Sequence, residues 1–261
     1  MPEPVRSVRH SKWAWGALLL VVLVVTGGAV ALLSGGSDSS SSAAAPASAS
    51  GSVPTASAST SAASLIKRVS DESLLDAGKP AIFFMGAHFC PFCASERWAF
   101  VKATARFGTW TGLKPLTSRD GVDGFASLPT YDFTSATFKS SLLSLRHKEV
   151  ADVEGNNLQS LDQFEKGLVN AYNPQGSIPF VAAGSSVGQY TVELAYSPSL
   201  LEGQSFAGLQ KAVASNASTP VAKAINGEAD AITAMLCKLD GGKPAAVCAA
   251  PAITQLGATL G

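Results

Sequence analysis

A short apolar run, Ala81-Ile82-Phe83-Phe84-Met85, is followed within five residues by Cys90-Pro91-Phe92-Cys93, and no other feature of the chain limits its fold as strongly. Gly78 and Pro80 break the chain before the run and Gly86 opens a turn after it, so the run reads as a strand buried on both faces. From Pro91 onward, Ala94, Trp98, Val101 and Ala105 recur at helical spacing until Gly108. A strand therefore feeds a helix, and the two cysteines share that helix's first turn. The spacing puts both sulfurs on one side, close enough to open and close a disulfide with little backbone movement. Unpaired N–H groups and the helix dipole favour an anion there, so Cys90 is expected to ionise below an ordinary thiol. Cys90 then reads as the nucleophile and Cys93, one turn inside, as the resolving thiol. Pro91 fits the first helical position, where its missing donor costs nothing.

The amino-terminal quarter excludes itself from the core. Trp13 to Leu33 carries no charge, and roughly 21 such residues suffice to cross a bilayer. Arg6, Arg9 and Lys12 precede the run, whereas no Lys or Arg follows until Lys67. Residues 1–12 are thus expected in the cytoplasm, 13–33 in the membrane and the rest outside. Ala29-Val30-Ala31 leaves a cleaved signal peptide open as the alternative, with the same extracytoplasmic destination. Residues 34–64 are almost wholly Ser, Ala, Gly, Pro and Thr, too poor in apolar area to offset the entropy of ordering, and read as a disordered linker. Residues 65–261 remain as one extracytoplasmic domain. A formal net charge of zero argues against nucleic acid as a partner. Four cysteines in two local pairs suit an oxidising compartment.

Along that domain, Ser70 is expected to cap a short helix through Leu75, and Leu128 to Phe133 to form a second strand of the sheet. Leu158 to Ala171 reads as a helix, Pro179 to Ala183 and Gln189 to Leu194 as paired strands around Gly184 and Gly188, and Ser205 to Ala214 as another helix. Thr219-Pro220 starts a helix that runs to about Leu239, with one more short helix after Pro244. The order is that of an α/β mixed sheet flanked by helices, with a helical carboxy-terminal extension.

Ala81 to Met85 as a central strand, Cys90-Pro91-Phe92-Cys93 at its end and Ile178-Pro179-Phe180-Val181 as a later proline-led strand resemble the thioredoxin-like superfamily over approximately 65–214. The stretch from Gly86 to Ala94 with Glu96-Arg97-Trp98, together with the late Cys237 and Cys248, looks like a prokaryotic family catalogued as domain of unknown function 929. The superfamily resemblance implies a cis bond before Pro179 and pairing of an extended substrate segment with the backbone at Ile178 and Pro179. It also implies a departure: the buried aspartate that thioredoxin carries beneath its dithiol corresponds here to Phe84.

Other residues leave alternatives open. His88 is either a cation near the sulfur or a solvent-facing loop residue. Phe89 and Phe92 flank Cys90 and can form an apolar rim for unfolded segments, unless Phe89 is simply buried. Glu96 and Arg97 read as a solvated helix surface, and Trp98 as core. Zinc at Cys90 and Cys93 would need a second close pair or histidines, which the spacing of Cys237 and Cys248 does not supply, so neither a metal nor another cofactor is expected. Cys237 and Cys248 read as a structural disulfide, with an electron relay as the alternative. The expected function is thiol-disulfide exchange on cysteine-containing exported proteins, recharged by a membrane redox partner, with the bilayer contacted through the amino-terminal helix. A reductase supplied across the membrane and a non-catalytic binding or chaperone module are the rivals.

Overall fold

A computed structural model describes residues 64–260. The expected tail, membrane segment and all but the last residue of the expected linker lie outside the described residues. In chain order the elements are β1 (Ile66–Ser70), β2 (Leu75–Asp76), β3 (Lys79–Gly86), α1 (Pro91–Thr104), β4 (Thr109–Thr111), β5 (Lys114–Thr117), β6 (Pro129–Asp132), β7 (Thr137–Lys139) and β8 (Ser144–Glu149). There follow α2 (Gln163–Tyr172), β9 (Phe180–Ser185), β10 (Gly188–Val192), α3 (Phe206–Ala214), α4 (Pro220–Leu239), α5 (Ala245–Cys248) and α6 (Pro251–Gly257). This is a mixed α/β domain with a helical carboxy-terminal region.

β3 is the centre of the main sheet. It pairs antiparallel with β9, which pairs with β10, which pairs with β1. On its other edge β3 runs parallel to β8 from Ala81 to Gly86, and the two residues of β2 cover its start. Alternation along the strands divides the core in two. Ile82 and Phe84 of β3, with Val181, Ala183 and Tyr190, face the large cluster built with α1 and α4. Phe83, Met85, Phe180 and Ala182 face the other way, against Leu168 and Phe164 of α2. The apolar run at 81–85 is therefore buried on both sides, as its composition requires.

Three local expectations before β9 need correction. Residues 70–75 form no helix: Ser70 ends a strand paired with β10, and its hydroxyl accepts from the Glu72 amide at 3.0 Å. So short a stretch cannot offset the cost of nucleating a helix, whereas a sheet edge supplies partners at once. The strand at 129–132 is outside the main sheet; it pairs with β5 in a separate two-stranded sheet and packs on α1, with the Thr130 hydroxyl donating to the Ala94 carbonyl at 2.8 Å. The parallel neighbour of β3 is instead β8, Ser-Leu-Arg-His-Lys-Glu, whose charges hid it from a hydrophobic reading. The third correction is at α2, which begins at Gln163 rather than near Leu158. Asp162 and Glu165 close a reciprocal capping box there, while the amides of Leu158 and Gln159 donate to the carbonyls of Val150 and Glu149.

Thr219 caps α4 with Pro220 in the first turn, as expected, and the helix extends to Leu239. The carboxy-terminal region has two short helices rather than one, and Cys237 at the end of α4 is disulfide-bonded to Cys248 in α5, 11 residues later. On the chain-entropy model a loop of this size contributes about 3 kcal/mol. Replacing both Cys237 and Cys248 by Ser should lower the thermal midpoint by roughly 6–12 °C in calorimetry, while the rate of thiol exchange at Cys90 stays within twofold of wild type; a large loss of exchange would revive the relay.

Candidate functional site

The strand β3 ends at Gly86, and the chain turns back into α1 through Ala87, His88 and Phe89. Space at Gly86 is tight: a Cβ there would lie 2.8 Å from the Phe84 ring and 3.3 Å from Cys93 Sγ, so a side chain would push on the buried sulfur. Cys90 is the N-cap of α1, in extended backbone conformation, with Pro91 in the first turn. Its sulfur accepts from the Cys93 amide at 3.4 Å. A thiol here occupies the place a Ser or Asp oxygen takes in an ordinary cap, and the helix end that favours the anion is the one the sequence indicated.

Both thiols are free, and Cys90 is 4% exposed against 0% for Cys93. The reactive sulfur is thus more enclosed than its outer position implied. Its ionisation falls to about 7, chiefly through the hydrogen bond from the Cys93 thiol, with the amides of Cys93 and Phe92 and the Arg97 charge adding to this against burial. Burial, and then the neighbouring Cys90, push Cys93 well above an ordinary thiol. One sulfur is ready to ionise and its neighbour holds its proton, a division of labour that suits attack followed by resolution.

The residues expected to receive substrate stand beside this pair. The Cys90 thiol points at the Ile178 carbonyl at 3.8 Å, and the Ile178–Pro179 bond is cis, as the resemblance implied. Ile178 and Pro179 are half-buried just before β9. Phe92 is half-buried too, meeting Phe125 edge-on at 5.6 Å, and Phe89 lies beneath the Arg119 guanidinium. His88 is neither solvent-facing nor shown against the sulfur: it is buried, with Nε2 3.1 Å from the Thr134 hydroxyl and 3.2 Å from Asp132. The bonded Cys237 and Cys248 stand apart in the carboxy-terminal helices.

Glu96 and Arg97 are not a solvated surface, because α1 is enclosed nearly all round. Arg97 reaches Glu149 at the end of β8 through Nε at 2.9 Å and Nη2 at 2.6 Å, both side chains having no exposure. Nη2 also donates to the Ala87 carbonyl at 2.9 Å, the same oxygen that accepts from the Cys90 amide at 3.3 Å. Glu96 faces Glu228 of α4; burial raises Glu96 to about 7 and raises Glu228 further, the facing carboxyl adding to it. Glu228 is held by the Ala195 amide at 2.8 Å and lines a cleft of about 680 Å³ with Arg106, Tyr196 and Lys223 that does not touch the thiols. A signal for these burials was present: Cys93, Ala94, Trp98, Ala99 and Phe100 leave α1 without a polar face, and a helix apolar all round is a buried one.

The elements define a class: a mixed α/β domain whose central strand delivers a dithiol to a helix cap. Residues 66–174 match the model of a family described as domain of unknown function (DUF929). That match takes in β1 through α2 and both site cysteines, and ends before Ile178, Cys237 and Cys248. No curated protein and no solved structure matches the chain.

Two measurements check the electrostatics. Alkylation of Cys90 in the reduced domain should follow a thiolate titration with a midpoint near 7, and Cys93→Ala should move it upward by removing the hydrogen bond that the Cys93 thiol donates. The acid pair makes the folded state hold protons that the unfolded chain has lost above about pH 4.3, so its stabilisation is complete below that and declines as pH rises through about 7. Burial lowers His147 and pulls the opposite way in the same window. The difference between wild type and Glu96→Gln therefore carries the result: between pH 5 and 7.5 the variant should gain about 2 kcal/mol relative to wild type in denaturant unfolding.

Proposed function

We propose that this chain is a membrane-tethered, extracytoplasmic thiol-disulfide oxidoreductase with a thioredoxin-like fold, in which Cys90 attacks and Cys93 resolves. The order of elements supports the fold reading. β3 leads into the dithiol helix, β8 returns parallel beside it, and antiparallel β9 and β10 follow, with Ile178 and Pro179 at the mouth of β9. The observation that carries the function is the position of Cys90 Sγ: capped by the Cys93 amide at 3.4 Å, it lies 3.8 Å from the Ile178 carbonyl, beside the backbone with which an extended substrate segment would pair. The amino-terminal apolar run and its flanking charges support a bilayer anchor and an outward-facing domain. Cysteine-containing exported proteins are then the substrates, and a membrane redox partner restores the dithiol.

In the exchange, the Cys90 thiolate attacks a substrate disulfide, or a substrate thiolate attacks the Cys90–Cys93 disulfide; each route passes through a mixed disulfide on Cys90. Half-buried Phe92 and the Phe125 ring edge give that intermediate an apolar border. Replacing Cys93 by Ala in cells should accumulate exported proteins covalently held on Cys90, released by reductant and absent when Cys90 is also replaced by Ser. Full complementation of a gene deletion by a chain lacking both cysteines would contradict the reading and favour a binding module.

A further inference from the structure

Arg97 is a buried cation that neither attacks nor resolves in the exchange. Its guanidinium offers five donors. Nε and Nη2 are committed to Glu149 and Ala87, whereas Nη1 is enclosed without a hydrogen-bond partner. Leaving a buried guanidinium donor unpaired is costly, and the flank it occupies is the one away from the carboxylate. The Phe84 and Phe133 rings lie 5.8 Å from Cζ. Phe84 is the ring that shares the narrow space at Gly86 with Cys93 Sγ, and the Ala87 carbonyl ties the guanidinium to the backbone of Cys90. The other charged or titratable groups around it are Glu149 and His147 of β8, Asp132 of β6 and His88 in the turn.

We propose that Arg97 is a positioning residue that stabilises the sulfur anions of the dithiol, held for this by Glu149, and that it makes the domain an oxidant of substrate dithiols. This rests on the thiol-exchange reading of the site. The Arg97 charge favours the anion at both cysteines. In the oxidising direction a substrate thiolate attacks Cys90 Sγ, the Cys90–Cys93 bond breaks, and its electron pair leaves on Cys93. Cys93 takes up a proton. A second substrate thiolate then attacks the substrate sulfur of the mixed disulfide and expels Cys90 as thiolate. Two electrons have passed from the substrate dithiol, now a disulfide, to the domain, now reduced. A partner disulfide of higher potential reoxidises it. Whatever stabilises the thiolate stabilises the reduced form, and a stabilised reduced form is what makes a dithiol a strong oxidant. Where the fold's familiar buried carboxylate would accept a proton, Phe84 leaves an apolar wall, and the charge acting on the sulfurs has the opposite sign.

The test is the equilibrium of the purified domain with mixtures of reduced and oxidised glutathione, read as the fraction of Cys90–Cys93 disulfide by mass spectrometry. Arg97→Met combined with Glu149→Leu removes the pair together and avoids an uncompensated buried charge. It should shift the equilibrium tenfold or more toward the disulfide, ~30 mV per tenfold. Glu149→Gln keeps the shape and relieves Arg97 of its counter-charge, so it should shift the equilibrium toward the dithiol, the opposite sign. A role in packing alone would not reverse between the two variants. Smaller or same-signed shifts in a domain that equilibrates normally overturn the assignment to Arg97. A wild-type domain that never equilibrates with glutathione overturns the exchange reading, and this inference with it.

Discussion

A guanidinium and a carboxylate with no solvent exposure, Arg97 and Glu149, hold together the three pieces on which the site depends. Arg97 belongs to the helix that starts at Cys90, Glu149 ends the strand running parallel to β3, and the Ala87 carbonyl that also accepts from Arg97 lies in the turn between strand and helix. Taking both charges out of water carries a desolvation penalty of several kcal/mol per ion, recovered only when geometry and additional hydrogen bonds are good. Two parallel bonds and the Ala87 carbonyl supply most of this, Nη1 of Arg97 being left without a hydrogen-bond partner. Removing either partner alone would strand a charge in the core, so the pair also fixes the register in which β8 can dock.

The same device explains why a strand reading Ser-Leu-Arg-His-Lys-Glu lies beside the apolar run of β3. Arg146 bonds Asp76 and Asp162, Lys148 stands 3.7 Å from Glu165, and Glu149 takes Arg97. Each charge that the strand brings to the sheet meets one from β2, α2 or α1. None of those partners is near in sequence, and a periodicity argument that looks for alternating apolar residues has nothing to find in this segment.

What was legible in the sequence is what local chemistry dictates. Five apolar residues between chain breakers, a proline after a cysteine at a helix start, and Thr219-Pro220 each determine their own backbone, and each led to the observed element. The place of Cys90 and Cys93 at a helix start followed from their spacing and from the strand and helix patterns on either side. The rest depended on distant partners. Ser70 caps no helix because β10 offers a ladder; residues 129–132 leave the main sheet because α1 offers Ala94 and Trp98, whose indole donates to the Pro129 carbonyl at 2.9 Å. Glu96 and Arg97, taken singly, read as surface; only the apolar residues on every side of them in α1 indicate otherwise.

The site then brings together an anion-favouring helix cap, a buried cation tied to it through the Ala87 carbonyl, and the Ile178 carbonyl beside the outer sulfur. The proposed exchange requires a fixed order, with Cys90 first and Cys93 second. Reacting the reduced domain with a small peptide disulfide and mapping the adducts over time by mass spectrometry tests that order directly. The peptide should appear on Cys90 and then leave as a thiol while a Cys90–Cys93 disulfide forms. First capture of the peptide on Cys93, or a Cys90 that remains unmodified, would contradict the account.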